Sequence, residues 1–440
     1  MTELADFFVK NARRESRFIS LLAQKPPSVI AQHGHKAVVW AILFVCWLLS
    51  FTAFQQYGRT SPMQFAELDW IGVVKIIIRG LSTVILAIIL LKPQMVQERR
   101  LVSRKLLPMM IFAVWAMVST LWSPLKMNSL GHASELLMCV MLAAASGIYF
   151  SDERYYSVFF KHLSIIILLF SAISLYLFYK FPSAEGWEDS GRPFGFATAN
   201  LAAQISGLGL IILFVFSILW EMKWSRLLLI PGVAIEGWFL IKLGSRIALL
   251  ATAVIVIGSL LFIRKRQYLA GMFFLLGIMG TLLICFGWFE NIISSAGTYI
   301  MRSQTRDELL TGTGRIEVWQ KYFAFFRISP LIGNGYFTLV PMAADKSGQM
   351  VGAHNIFLGV LSGTGLIGGL LFAWGILSPL AAVWRRLRIN PAERRLAILI
   401  LVSMVWFFAT SQTETTLLGP ISPVTIGFYV ILGVAAGKLK

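Results

Sequence analysis

The chain has 440 residues, of which 57% are hydrophobic and only 14% charged. A soluble globule carries nearer a quarter charged residues because its surface faces water; two or three soluble domains are therefore excluded, and a polytopic membrane protein is expected. The formal charge of +18 does not require nucleic acid, since basic residues on the cytoplasmic side orient a membrane protein during insertion.

Crossing about 30 Å of hydrocarbon takes roughly 20 residues. Twelve apolar stretches meet that need, near 38–57, 72–91, 106–124, 132–150, 162–181, 199–220, 227–243, 246–263, 268–288, 354–384, 397–412 and 420–437. They are continuously apolar rather than alternating, which selects helices over barrel strands. The fold class expected is all-α, with about twelve transmembrane helices. Cys46, Cys139 and Cys285 all lie in apolar runs, so no disulfide framework is expected. Nothing before residue 37 resembles a secretory h-region, so the N-terminus is expected to be retained.

Lys and Arg orient the bundle. With the N-terminus inside, 25 of the 39 basic residues fall on the cytoplasmic side, 12 fall outside, and two lie within the second span. This bias predicts cytoplasmic N- and C-termini, with a bacterial inner membrane as the natural setting. The organisation expected is a cytoplasmic segment 1–37, spans one to nine over 38–288, a large periplasmic loop 289–353, and spans ten to twelve over 354–440. Within the loop, Trp319, Tyr322, Phe323 and Phe326 recur at helical spacing. Arg315 precedes this stripe and Ser329-Pro330 ends it, because proline cannot continue a helix. Such a helix is expected to lie in the membrane interface with its aromatics down. A second outer loop, 182–198, carries Glu185, Glu188, Asp189 and Arg192.

Polar groups at the outer membrane face are informative because hydrocarbon tolerates so few of them. Arg192 sits in SGRPFGFATAN, Arg246 in LGSRIALL, Arg315 in GTGRIEVWQ, and His354 in AHNIFLG. Arg302 and Arg306 lie in the large loop, where Asp307 and Glu308 offer local partners. A lone arginine near a helix end usually snorkels to headgroups. Several on one leaflet point to an anionic ligand, because the guanidinium fork suits phosphate. His354 faces the same side and can take a proton near neutral pH. Of the other histidines, His33 and His35 fall in the inner tail, His162 at an inner helix start, and His132 has no basic neighbour in the sequence. Lys75, Arg79 and Glu236 fall within the bilayer, where ion pairs and a transport path are both open readings. Gly359, Gly363, Gly365 and Gly369 form GxxxG spacings that predict close helix packing. The sequence has no Asp-x-Asp, no metal-spaced His/Cys/Asp cluster, no Walker loop and no Ser-His-Asp elbow, so no metal and no cofactor is expected.

From His354 the chain runs His-Asn, nine residues, Gly365, two residues, Gly368. This pattern resembles the signature of the O-antigen ligase and polysaccharide polymerase (Wzy-type) family. GRIEVW…SPLIGNGYF also resembles that family through Arg315, Trp319, Pro330, Gly333 and Gly335, as do Arg192 before Phe-Gly-Phe, the Ser245-Arg246 pair, and WSPL at Trp122–Leu125. Ala199-Asn200 departs from the Pro-Asn of many relatives. The resemblance covers most of the chain from about residue 110. It implies a GT-C-like, metal-independent inverting glycosyltransferase that uses an undecaprenyl-diphosphate-linked oligosaccharide. Arg192, Arg246, Arg302 and Arg315 would bind the diphosphate, and His354, with Arg315, would be catalytic. The partners implied are an acceptor glycan or lipid A-core, membrane lipids, and polysaccharide export and chain-length proteins. The leading expectation is a polymerase of repeat units of an exported polysaccharide (exopolysaccharide or O-antigen). Its rival within the family is a ligase that moves finished glycan to lipid A-core. A transporter is the rival from another class, prompted by Lys75, Arg79 and Glu236; the one-sided loop and the lack of matched halves stand against it.

Overall fold

The computed structural model describes residues 36–46, 70–91, 96–150, 153–180, 199–220, 223–263, 315–343, 352–389, 394–412, 417–418 and 421–437. Among these residues all regular structure is helical and no strand occurs. In chain order the helices are α1 (Lys36–Cys46), α2 (Trp70–Leu91), α3 (Val96–Val118), α4 (Lys126–Tyr149), α5 (Glu153–Lys180), α6 (Ala199–Trp220), α7 (Lys223–Leu243), α8 (Arg246–Ile263), α9 (Arg315–Ile328), α10 (Leu339–Met342), α11 (Ile356–Ile389), α12 (Arg394–Ser411) and α13 (Pro423–Ala436). Six described helices are long and apolar enough to cross a bilayer, and four shorter apolar helices accompany them. The protein is an all-helical, polytopic membrane protein. The stretch at 268–288, Arg192, Arg302 and Arg306 lie outside the described residues. Both α3 and α5 begin well before the apolar stretches they contain. Their first turns carry Glu98, Arg99, Arg100, Glu153 and Arg154, so hydropathy registers only the membrane portion of each helix.

α13 lies among α3, α4, α6, α11 and α12, and all of its residues are buried. It is apolar all round, as a helix without a solvent face must be. Ser422 caps its N-terminus in a capping box with Thr425, and Pro423 occupies the first turn. Small residues let α13 approach α4 closely: a Cβ on Gly433 would overlap the Ala143 carbonyl, and one on Gly147 the Gly433 carbonyl. At the far end, Lys105 Nζ donates to Ala436 O at 2.9 Å and Arg386 donates to Gly437 O at 2.9 Å. These cations stand where the helix dipole favours them. α2 turns Ile76, Ile77, Leu81, Val84, Ile88 and Leu91 outward, an apolar stripe that suits lipid.

α11 is broken. Gly365 has φ 69° and ψ −171°, dividing its 34 residues into two half-helices. A break inside a helix apolar and long enough to cross the bilayer frees backbone groups that lipid cannot satisfy. Loop 329–338 supplies their partners. Leu366 N donates to Pro330 O at 2.8 Å and Ile367 N to Leu331 O at 3.2 Å. Ser362 O accepts from Asn334 N at 3.1 Å and from its Nδ2 at 3.0 Å, and Gly363 O accepts from Gly335 N at 2.9 Å. Trp115 Nε1 donates to Thr364 O at 3.0 Å. Gly333, with φ 74°, and Gly365 permit this approach, since a Cβ on either would overlap the facing backbone. Gly363 and Gly365, read in sequence as a helix-packing stripe, thus receive a loop instead of a neighbouring helix.

Gly365→Ala is expected to cost about 2 kcal/mol or more, since a non-glycine residue held at positive φ is strained and the loop cannot retreat. Gly80→Ala, where nothing lies within 4 Å of the added Cβ, is expected to stay within about 0.5 kcal/mol of the parent. Thermal unfolding of the solubilised protein measures the difference, and equal midpoints for the two variants contradict it.

Candidate active site at the α9 end of the bundle

The docked loop is fastened on its other side to the α3–α4 turn. Trp122 Nε1 donates to Gly333 O at 3.1 Å, and Tyr336 N donates to Ser119 Oγ at 2.9 Å. Thr338 Oγ1 lies 2.5 Å from Ser123 Oγ and 2.6 Å from Ser129 Oγ. Asn128 Nδ2 donates to Phe337 O at 3.1 Å. Tyr336 OH donates to Leu418 O at 2.7 Å; burial holds its pKa well above the usual phenol range, keeping it a neutral donor. The WSPL and SPLIGNGYF elements are therefore parts of one backbone-anchoring unit.

α9 packs onto this unit through Val318, Tyr322 and Phe325, which meet Leu339, Ala343, Ala353 and Leu358. Burial likewise raises the Tyr322 phenol. The aromatic stripe expected on one face divides. Trp319 Nε1 donates to Ala353 O at 3.0 Å and Tyr322 is buried, whereas Phe323 is exposed, with Phe326 at 6.1 Å and Arg327 at 4.7 Å above its ring. Consecutive helical residues project about 100° apart, so Tyr322 and Phe323 lie at opposite edges of the stripe, and the contact with Leu339, Ala343, Ala353 and Leu358 covers only the Tyr322 edge.

The His-Asn pair also divides its work. Asn355 Oδ1 accepts from Phe357 N at 3.0 Å and Leu358 N at 3.1 Å, capping the first half of α11. His354 has φ 45°, uncommon for a residue with a side chain. Arg315 stands one turn before Trp319, whose indole holds the carbonyl immediately preceding His354. Arg246 opens α8. A bond of 3.0 Å from Trp406 Nε1 to Thr252 Oγ1 sets the first turns of α8 beside the last turns of α12, the end at which Leu418 accepts from Tyr336. Arg246, Arg315 and His354 thus share one end of the bundle. Between α9 and α11 lies a cavity of about 30 Å³ lined by Tyr322, Tyr336, Phe337, Ala353 and Gly359, room for a water or two.

At this same end the structure assembles a group whose members lie scattered in the sequence. Arg79 of α2 pairs with Glu135 of α4, and His132 Nδ1 lies 3.1 Å from the other Glu135 oxygen. The His132 ring rests 4.1 Å from that of Phe337. The signal available was the i, i+3 spacing of His132 and Glu135, which puts them on one helix face. Arg79 is thereby paired, as the ion-pair reading of the intramembrane charges requires. Glu236 is fully buried and accepts at Oε2 from Ser171 Oγ at 2.7 Å and Ser206 Oγ at 2.6 Å, a hydrogen-bonded core group. Cys46 and Cys139 are buried free thiols. Among the described residues no cluster of three or more His, Cys, Asp or Glu is placed to hold a metal ion.

Residues 231–373 match the O-antigen ligase family model. The O-antigen ligase match runs from the middle of α7 into α11 and takes in α8, α9 and the docked loop, with Arg246, Arg302, Arg315 and His354. It bears out the resemblance drawn from the motifs of this region. Arg192 and Trp122–Leu125 lie ahead of it. Comparison with curated proteins finds no match.

Asn355→Ala is expected to destabilise the protein by about 1 kcal/mol, and Asn355→Ser to recover most of it, since either oxygen side chain can cap. Unfolding midpoints of the two variants decide this; a serine variant as unstable as the alanine variant contradicts the cap.

Proposed function

We propose that this protein is a bacterial inner-membrane glycosyltransferase that moves an undecaprenyl-diphosphate-linked glycan onto an acceptor sugar at the periplasmic face, polymerising the repeat units of an exported polysaccharide. The O-antigen ligase match supports a membrane glycosyltransferase of the ligase or polymerase type. The observation that carries the reading is the junction of α9 with α11. There Trp319 is bonded to Ala353, so that a guanidinium one turn away and an imidazole one residue away stand at one end of the bundle. The basic bias of the sequence supports the periplasmic assignment of that end and of residues 289–353, with residues 1–37 and the C-terminus cytoplasmic.

In this reading the acceptor oxygen attacks the anomeric carbon as His354 takes its proton. The bond from that carbon to the diphosphate oxygen breaks on the opposite side, with inversion, and its electron pair leaves with the lipid diphosphate. Arg192, Arg246, Arg302 and Arg315 hold that group and stabilise the charge growing on it. In this reading Arg315, one turn before Trp319, is the guanidinium that also acts in catalysis beside the base. Guanidinium suits the task because its fork makes paired hydrogen bonds and keeps its charge. These cations take the place of a metal. Export and chain-length proteins would be the partners of such a polymerase. A ligase reading, with lipid A-core as acceptor, is favoured by the description of the matching family. It uses the same chemistry and changes only the acceptor.

Alanine at Arg192, Arg246 or Arg315 is expected to remove most turnover, with lysine restoring only part, because a point charge lacks the fork. His354→Ala should lower transfer by roughly 10²-fold or more while donor binding persists. Arg306, beside Asp307 and Glu308, should tolerate lysine. Purified protein with lipid-linked donor and a chelator provides the assay. Full activity in all three lysine variants contradicts the diphosphate clamp, and activity restored only by a divalent ion contradicts metal-free transfer.

A further inference from the structure

Phe337 stands out among the residues of the docked loop. It has φ 58°, a conformation that a bulky side chain adopts only when its surroundings enforce it. Helix α4 and the turn before it do the enforcing. From α4, Asn128 Nδ2 holds the Phe337 carbonyl at 3.1 Å, Ser129 lies 2.6 Å from the hydroxyl of the next residue, Thr338, and the His132 ring packs on the phenyl ring at 4.1 Å, tilted by 53°. Asn128 and His132 are i and i+4, so one helix face grips both the backbone and the ring of a single strained residue. Phe337 also lines the cavity that Ala353 borders, one residue from His354.

The imidazole is itself fixed. An ionised carboxylate only accepts, so His132 Nδ1 carries the hydrogen that Glu135 Oε2 receives. That bond sets both tautomer and ring plane, as an orienting carboxylate does for a histidine. Arg79 neutralises the same carboxylate from α2, at side-chain exposures of 15% for both, which lets a charged group stay at membrane depth. The chain of contacts is Arg79 to Glu135, Glu135 to His132, His132 to Phe337, and Phe337 across the cavity to the segment that ends at His354. Apolar packing alone would need none of these charges.

We propose that His132 is a positioning residue: held by Glu135 and Arg79, it sets the Phe337 ring as the wall of the cavity facing Ala353, and so fixes the placement of His354. This rests on the proposed glycosyl transfer only for its activity readout. Because it acts through placement of a reacting group, its loss lowers kcat more than it raises KM.

Two substitutions separate the ring from the hydrogen bond. His132→Phe keeps an aromatic ring against Phe337 but loses the bond to Glu135, and His132→Asn can keep a donor to Glu135 but has no ring. The expected result is that His132→Asn lowers kcat at least tenfold with KM within about twofold, roughly 1.4 kcal/mol at the barrier, and that His132→Phe recovers most of it. A fluorine label on the Phe337 ring, read by NMR in the solubilised protein, should shift and broaden in His132→Asn and in Glu135→Gln and stay sharp in His132→Phe. Wild-type kcat in His132→Asn, or a Phe337 signal that is sharp and unshifted in it, overturns the proposal. The fluorine measurement needs no turnover. A wild-type protein that transfers no glycan therefore counts against the proposed function, while the label still decides the role of His132.

Discussion

Four backbone groups inside a helix apolar and long enough to cross the membrane set the terms for the rest of this structure. The break at Gly365 deprives the Leu366 and Ile367 amides and the Ser362 and Gly363 carbonyls of their helical partners. An unsatisfied backbone group in hydrocarbon costs several kcal/mol, so a broken helix survives there only if something else bonds it. Loop 329–338 does so for all four groups, and Trp115 bonds the adjoining Thr364 carbonyl. The demand also runs the other way. The Pro330 and Leu331 carbonyls and the Asn334 and Gly335 amides find their own partners on the half-helices.

The placement of the candidate site follows from that mutual satisfaction. The loop follows directly from α9 and leads through α10 toward His354, so docking it fixes the segments on both sides. The Trp319–Ala353 bond closes the arrangement from the α9 side. The α3–α4 turn closes it from the other, through Trp122, Ser119, Asn128 and the Ser123–Thr338–Ser129 hydroxyl group. Rigid scaffolding around a few polar side chains is what a site needs to hold a reacting geometry. A loop held only by its ends would not supply it.

The sequence made some of this legible and hid the rest for identifiable reasons. Membrane helices were readable because a chain facing water rarely strings twenty apolar residues together, although the charged first turns of α3 and α5 concealed where those helices begin. α9 was readable from its spacing and its closing proline. Its faces were not, because which aromatics turn inward depends on Leu339, Ala353 and Leu358, which arrive from elsewhere in the chain. Arg315, Arg246 and His354 could be singled out one by one, and the structure sets them at one end of the bundle. The motif glycines at 333 and 365 and Asn355 looked alike as signature positions, yet their roles are a close backbone approach and a helix cap. Arg79 and Glu135 are 56 residues apart, and no local pattern announces such a pair.

Amide hydrogen exchange at Asn334 and Gly335 tests the central claim most directly, because both lie in a connecting loop that would exchange rapidly if it were not docked. Bonded to the Ser362 and Gly363 carbonyls, they should exchange on the slow timescale of the α4 and α13 amides, since opening them requires undoing the packing of α11. Exchange of Asn334 and Gly335 at the rate of an exposed loop, with α4 and α13 still protected, would contradict the account.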